Sequence, residues 1–308
     1  MPTEEWMEKY EGMRDRLTCW TDPNSYFTGN MVGNTAVDAM DIGTVSFPSG
    51  RILACDPLIE LEDRPPFMQT VPPGTYPVTI CVMPSEKYGD RYACVKVTVS
   101  DAKPVRYDLA MIGDEDLNED LEDGDYFGFC VDAGMGCIAD VETQKAFREY
   151  WAKRLEDDED IDPYNDLFCD LLEESYNENP RYQRDGGDWV NWTVPGTDLS
   201  IPIFASGWGD GVYPCYFGYD SDGNVCGVYI LFIDLEEGSK GRFRTRGRCY
   251  REDTRVQDGM FQMEGVKRKQ QDITSIPDDE LRCSRLSRGP PCTLRYSETP
   301  VEICRTDA

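Results

Sequence analysis

The chain has 308 residues, 40% hydrophobic and 29% charged, which is a globular composition with ample length to bury a core. Its formal net charge of −28 opposes a nucleic-acid backbone or an anionic membrane as partner and favours a basic protein or a divalent cation. There is no histidine, so the chain cannot by itself build a Ser-His-Asp or Cys-His triad, a His-bearing zinc site or a histidine base. Carboxylate chemistry, a lysine or cysteine nucleophile, and oxygen-only binding of calcium or magnesium stay open.

The first residues, Met1-Pro-Thr-Glu-Glu-Trp6, have neither a basic nor an apolar leader region, and no apolar run reaches membrane-spanning length. A cytoplasmic location is expected. The thirteen cysteines are odd in number and form no CxxC pair, and Cys55, Cys81, Cys94, Cys130, Cys215 and Cys226 sit in strand-like apolar runs. That usage predicts reduced, buried thiols.

Residues 1–17 read as a helix, with Trp6, Tyr10, Met13 and Leu17 on one face. Residues 21–40 carry turn chemistry without a period. Short strands are predicted at Ile42–Phe47 and Arg51–Cys55 around the turn Pro48-Ser-Gly50. Three more are predicted at Val78–Met83, Arg91–Val99 and Val105–Met111. The middle one alternates as a half-buried antiparallel strand does. Gly113–Asp125 is acidic, with Asp114, Asp116, Asp120, Asp123 and Asp125, but it lacks the glycine and glutamate spacing of a calcium loop. It reads as a solvated loop.

Gly128–Val131 and Cys137–Asp140 flank the turn Asp132-Ala-Gly-Met-Gly136. Two helices follow: Phe147, Trp151 and Leu155 form one apolar stripe, and Leu167, Phe168, Leu171 and Leu172 the next. Residues 177–200 read as loop. Then comes Phe204-Ala-Ser-Gly-Trp-Gly-Asp-Gly-Val-Tyr213, a strand and glycine loop, followed by strands joined at Asp220-Ser-Asp-Gly-Asn224. The glycine loop is open to two readings, a ligand-contacting loop or an aromatic-plugged corner of a β fold.

Residues 1–237 hold 16 Lys and Arg against 48 Asp and Glu, whereas residues 238–308 hold 15 against 11. This shift predicts three parts: an N-terminal helix and loop over 1–41, an α+β domain over 42–237, and a basic, disordered tail over 238–308. The tail would suit an acidic partner or the acidic body itself. The fold expected for the domain is α+β: mainly an antiparallel β-sandwich or bent sheet, with two helices inserted between strands at 141–177.

Four ordered blocks carry a resemblance: Pro48-Ser-Gly-Arg-Ile-Leu-Ala-Cys-Asp-Pro57; Gly74-Thr-Tyr-Pro-Val78; Val131-Asp-Ala-Gly-Met-Gly-Cys137 with Asp140; and Ser206-Gly-Trp-Gly-Asp-Gly211 with Tyr213-Pro214. Together the chain over roughly residues 42–236 resembles a bacterial-type uncharacterised family, number 4241 of the domain-of-unknown-function series. The resemblance implies a domain boundary and no mechanism.

Polar residues in glycine turns are the candidates for chemistry, because turns aim side chains where strands cannot. They are Asp56, Asp132, Asp140, Ser206 and Asp210. If Asp56, Asp132 and Asp210 meet at one edge, they would hold a divalent cation (calcium or magnesium) or share a proton. Trp208, Gly207, Gly209, Gly211 and Tyr213 would form the binding wall beside them. The alternative role for each aspartate is to cap its own turn. Two functions are thus expected to compete: an acidic protein-binding module, for instance one that masks a basic partner as an immunity protein does, and a carboxylate-dependent, metal-assisted hydrolase or lyase.

Overall fold

The computed structural model describes residues 2–118, 121, 124–236 and 247–250. In chain order its elements are α1 (Glu4–Met13), β1 (Met31–Val32), β2 (Thr35–Ala36), β3 (Asp38–Phe47), β4 (Ile52–Cys55), β5 (Gly74–Met83), β6 (Arg91–Thr98) and β7 (Arg106–Leu109). They continue with β8 (Tyr126–Val131), β9 (Met135–Asp140), α2 (Val141–Asp157), α3 (Cys169–Glu178), β10 (Trp189–Thr193) and β11 (Ser200–Ala205). The last are β12 (Gly211–Tyr213), β13 (Cys215–Tyr219), β14 (Val225–Leu231) and β15 (Gly247–Cys249).

The architecture is an α+β sandwich. A six-stranded antiparallel sheet runs β3-β5-β6-β14-β13-β7, and a four-stranded one runs β10-β11-β9-β4. A third, of three strands, runs β12-β8-β15. One hydrophobic cluster joins them, with Phe47, Ile80, Val95, Phe217 and Ile230 from the large sheet and Leu53, Ile138, Ile203 and Phe204 from the four-stranded one. Strand β3 bends where its register shifts between Asp41 and Thr44. There Asn191 of β10 donates to the Ile42 and Thr44 carbonyls at 3.0 and 2.9 Å, which satisfies backbone groups the bulge frees and ties the two sheets together.

The two inserted helices stand where their stripes place them, between β9 and β10. Phe147 and Trp151 of α2 stack at 6.2 Å, and Phe168 meets Trp192 edge-on at 5.5 Å. Trp192 lies in a stretch expected to be loop. The apolar surface of the helices recruits Trp189–Thr193 as β10, paired along its length with β11. A second correction concerns β6. Its second face is covered as well, so Tyr92 and Cys94 are buried and the strand is not half-exposed.

The acidic stretch 113–125 is also not simply solvated. Glu115 is buried and accepts the N–H groups of Ile112, Gly113 and Asp114 at 2.6, 2.9 and 3.1 Å. Burial pushes its carboxyl pKa up. Asp125 pairs with Arg248 at 3.3 Å. Asp120 and Asp123 lie outside the described residues.

The boundary expected at residue 237 moves. Residues 247–250 belong to the body: β15 pairs in parallel with β8, and Tyr250 is buried, its hydroxyl donating to the Ala110 carbonyl at 2.8 Å. The remainder of the predicted tail, 251–308, and residues 237–246 lie outside the described residues. The expectation of uniformly reduced cysteines is corrected at the same place. Cys130 of β8 and Cys249 of β15 form a disulfide with Cα atoms 5.7 Å apart; the parallel pairing sets Cys249 opposite Gly128, two residues before Cys130. Eight other described cysteines are free thiols. Among the described residues no helix is long and apolar enough to cross a membrane.

Candidate functional site

Three of the predicted site stretches meet at one corner of the sandwich. Strand β12 pairs with β8 so that Gly211 faces Val131, which places Asp210 and Asp132 one register step further on, side by side. The Ser206 N–H donates to the Gly134 carbonyl at 3.0 Å, laying the glycine loop against the 132–134 turn. Asp56, at the end of β4, closes the corner from beneath. Its Oδ2 accepts the N–H groups of Asp132 and Ala133 at 3.1 and 2.8 Å, and its Oδ1 accepts that of Leu58 at 3.0 Å.

The backbones of Asp56, Asp132 and Asp210 therefore converge, but their carboxylates differ sharply in exposure. The Asp56 carboxylate is wholly buried and engaged by three N–H groups. Burial pushes it up to about 6, against the downward pull of those bonds. The side chains of Asp132 and Asp210 are exposed. Among the described residues no group of three or more Cys, Asp or Glu side chains is placed to hold a metal ion.

Asp140 acts at a different place. It is fully buried and caps α2, accepting the Glu142 N–H at 2.9 Å. Its two oxygens also take the Ser49 hydroxyl at 2.8 and 2.9 Å and the Ser49 N–H at 3.1 Å. One carboxylate thus binds the β3–β4 turn to the start of the helix.

The glycine loop has a packed inner side and an exposed outer one. On its inner side it is a plugged corner: the Ser206 and Tyr213 hydroxyls donate to the Gly209 carbonyl at 2.8 and 2.7 Å, and Tyr213 packs edge-on against Phe232 at 4.9 Å. Burial raises the Tyr213 phenol pKa to about 12. Gly207, at φ 57°, has Ile233 and Phe232 carbon atoms only 3.0 Å from where a Cβ would stand. Gly209 has φ 103° and open space around it, and Gly211 begins β12. Between the first two glycines Trp208 points outward, 55% exposed.

What surrounds Trp208 was not legible in the sequence. Tyr88, 49% exposed, meets it edge-on at 5.9 Å and 87°. The Arg91 guanidinium lies 5.4 Å from its ring centre, and Lys87 Nζ lies 4.6 Å from that of Tyr88. Behind them Arg184 is clamped to the buried Asp188, with Nε–Oδ1 2.9 Å and Nη2–Oδ1 2.5 Å. Arg184 and Asp188 bracket Asp185-Gly-Gly187, a four-residue spacing visible in the sequence. No local signal ties them to Arg91, which joins them only through the pairing of β6 in the large sheet.

The described residues define an α+β fold whose inserted helices and glycine-loop corner are held by buried carboxylates. Within that class, the sequence profile of the family described as "Protein of unknown function (DUF4241)" matches residues 45–230, more than half of the chain, and the chain belongs to that family. No curated protein and no solved structure matches it.

Proposed function

We propose that this protein is a binding module for another protein and that its contact surface is centred on the glycine loop. The observation that carries this reading is the exposed pair Trp208 and Tyr88 with the Arg91 guanidinium against it. An indole left in water forgoes about 1.5–3 kcal/mol of burial, and Trp, Tyr and Arg are the side chains that dominate interface energetics. Gly207 and Asp56 hold the loop's base rigidly, so Trp208 is presented ready for contact at little ordering cost. The net charge of −28 would draw in and orient a basic partner, as an immunity protein does with its target. For the carboxylate-hydrolase alternative the geometry offers no comparable support, since Asp56 and Asp140 are engaged by backbone N–H groups and the turn of Ser49.

The test uses the tagged full chain and its Trp208→Ala variant as parallel baits in extract of the source cells. The parent is expected to retain a basic protein at least about tenfold better than the variant, released by raised salt. Identical captures by the two baits, with both baits folded, would overturn the reading.

A further inference from the structure

Arg91 opens β6 on the acidic body, and among the described residues its guanidinium forms no ion pair. Its Nε and Nη1 are buried with no hydrogen-bond acceptor among the described residues. The carboxylates close by bond to other groups, Asp188 to the side chain and N–H of Arg184 and Asp90 through Oδ1 to the Ser85 N–H at 3.1 Å, and they act on Arg91 through their charge without a hydrogen bond. Buried donors are nearly always paired, so two on one cation mark a place where an acceptor belongs. Burial, and then the charge of Arg184, lower the Arg91 pKa, the direction that an incoming anion would reverse.

The surroundings say what kind of anion fits. The narrow cleft at Arg91, walled by Asp90, Arg184 and Asp188 with Tyr92, Ala205 and Gly207, has no room for a water molecule. The Trp208 ring faces the guanidinium at 5.4 Å, so an acceptor comes in beside that ring. Trp208 stands between two glycines in the left-handed region, and beyond Gly209 the space is open. Around the two exposed rings stand Lys87, Arg91 and Arg184, with Asp188 paired to Arg184 and Asp90 beside Arg91, on a protein whose net charge is −28. A planar anion next to an apolar surface is the complement of a guanidinium next to an indole.

We propose that Arg91, backed by Arg184, anchors a carboxylate-binding subsite, in which a ligand carboxylate borne beside an aromatic or aliphatic group seats on Arg91 while that group packs on Trp208 and Tyr88. This rests on the loop-centred reading above and adds the chemistry at its middle: the partner presents a chain terminus or an acidic side chain next to an apolar residue. The long-range field selects a basic partner, and the local cations select one carboxylate on it.

The test titrates three probes into the full-length chain and follows the Trp208 indole by NMR, assigned with Trp208→Phe. The probes are N-acetyl-phenylalanine, its amide, and N-acetyl-phenylalanyl-glutamic diamide with only the side-chain carboxylate free. At least one of the two acids should shift the indole saturably at millimolar concentration, the uncharged amide should not, and which acid binds identifies the source of the carboxylate. In Arg91→Gln, checked for an unchanged melting temperature, the affinity should fall about thirtyfold or more. Equal binding of acid and amide, unchanged affinity in Arg91→Gln, or no shift with either acid up to about 20 mM overturns the subsite. If the probes fail while Trp208→Ala still loses its protein partner, the subsite is wrong and the binding module stands. If the probes bind while both baits capture alike, the subsite stands as a small-ligand site and the module is wrong.

Discussion

Replacing Asp140 with alanine removes an acceptor that serves three donors on two elements. The Glu142 N–H loses its cap, which costs about 1 kcal/mol. The Ser49 N–H and hydroxyl lose their partner in a half-buried turn, which costs about 2 kcal/mol more. The total of about 3 kcal/mol corresponds to a fall of roughly 6–12 °C in melting temperature for a body of this size. Thermal and urea melts of the full chain at neutral pH read it directly. Ser49→Ala should lose part of the same energy, and the double variant should lose less than the two singles combined, because the partners share one network. Asp140→Asn, which keeps one cap oxygen but turns an amide toward a donor, should fall between parent and alanine variant. A carboxylate retained for chemistry behaves in the opposite way, since its removal commonly stabilises a protein. An Asp140→Ala protein that melts within about 2 °C of its parent, or singles that add without coupling, would refute the clasp.

Two further outcomes follow from buried groups. Asp56 has a folded-state pKa of about 6 against an ordinary value of 3.8, so between those limits the folded state binds the extra proton. Its contribution to stability is therefore full below about pH 4 and lost as pH rises through 6, and parent-minus-Asp56→Asn stability from urea melts should decline by about 3 kcal/mol across that window; a flat or rising difference would contradict it. The Cys130–Cys249 disulfide spans a sequence separation of 119 and ties β15 to β8. Cys130→Ser should cost about 2–4 kcal/mol, and reductant should lower the melting point of the parent and leave that of the variant unmoved.

The sequence by itself determined the local architecture. Periodicity placed α1 and the two inserted helices, because an apolar stripe recurring every three or four residues has one helical solution. Turn chemistry placed the β13–β14 hairpin at Asp220–Asn224 and the turn Pro48-Ser-Gly50, which joins strands of two different sheets and is no hairpin, and the ordered blocks were enough to mark the family. It also singled out the glycine loop and the aspartates of the corner, since glycine and aspartate in turns are local signals. It missed β10, whose Trp189 and Trp192 alternate with nothing local, and it cut the body short of β15, whose composition is basic and whose place depends on pairing with β8.

Only the tertiary structure decided what the marked residues do. A carboxylate's role depends on which donors reach it, and those of Asp56 and Asp140 come from residues 76 and 91 positions away as well as from neighbours. The same holds for Arg91, whose missing acceptor, facing indole and neighbouring Arg184 are brought together by strand pairing across the sandwich. Sequence spacing governs contacts along one helix or one strand, whereas burial and pairing between distant strands govern charge, and the chemistry of this corner is a matter of charge.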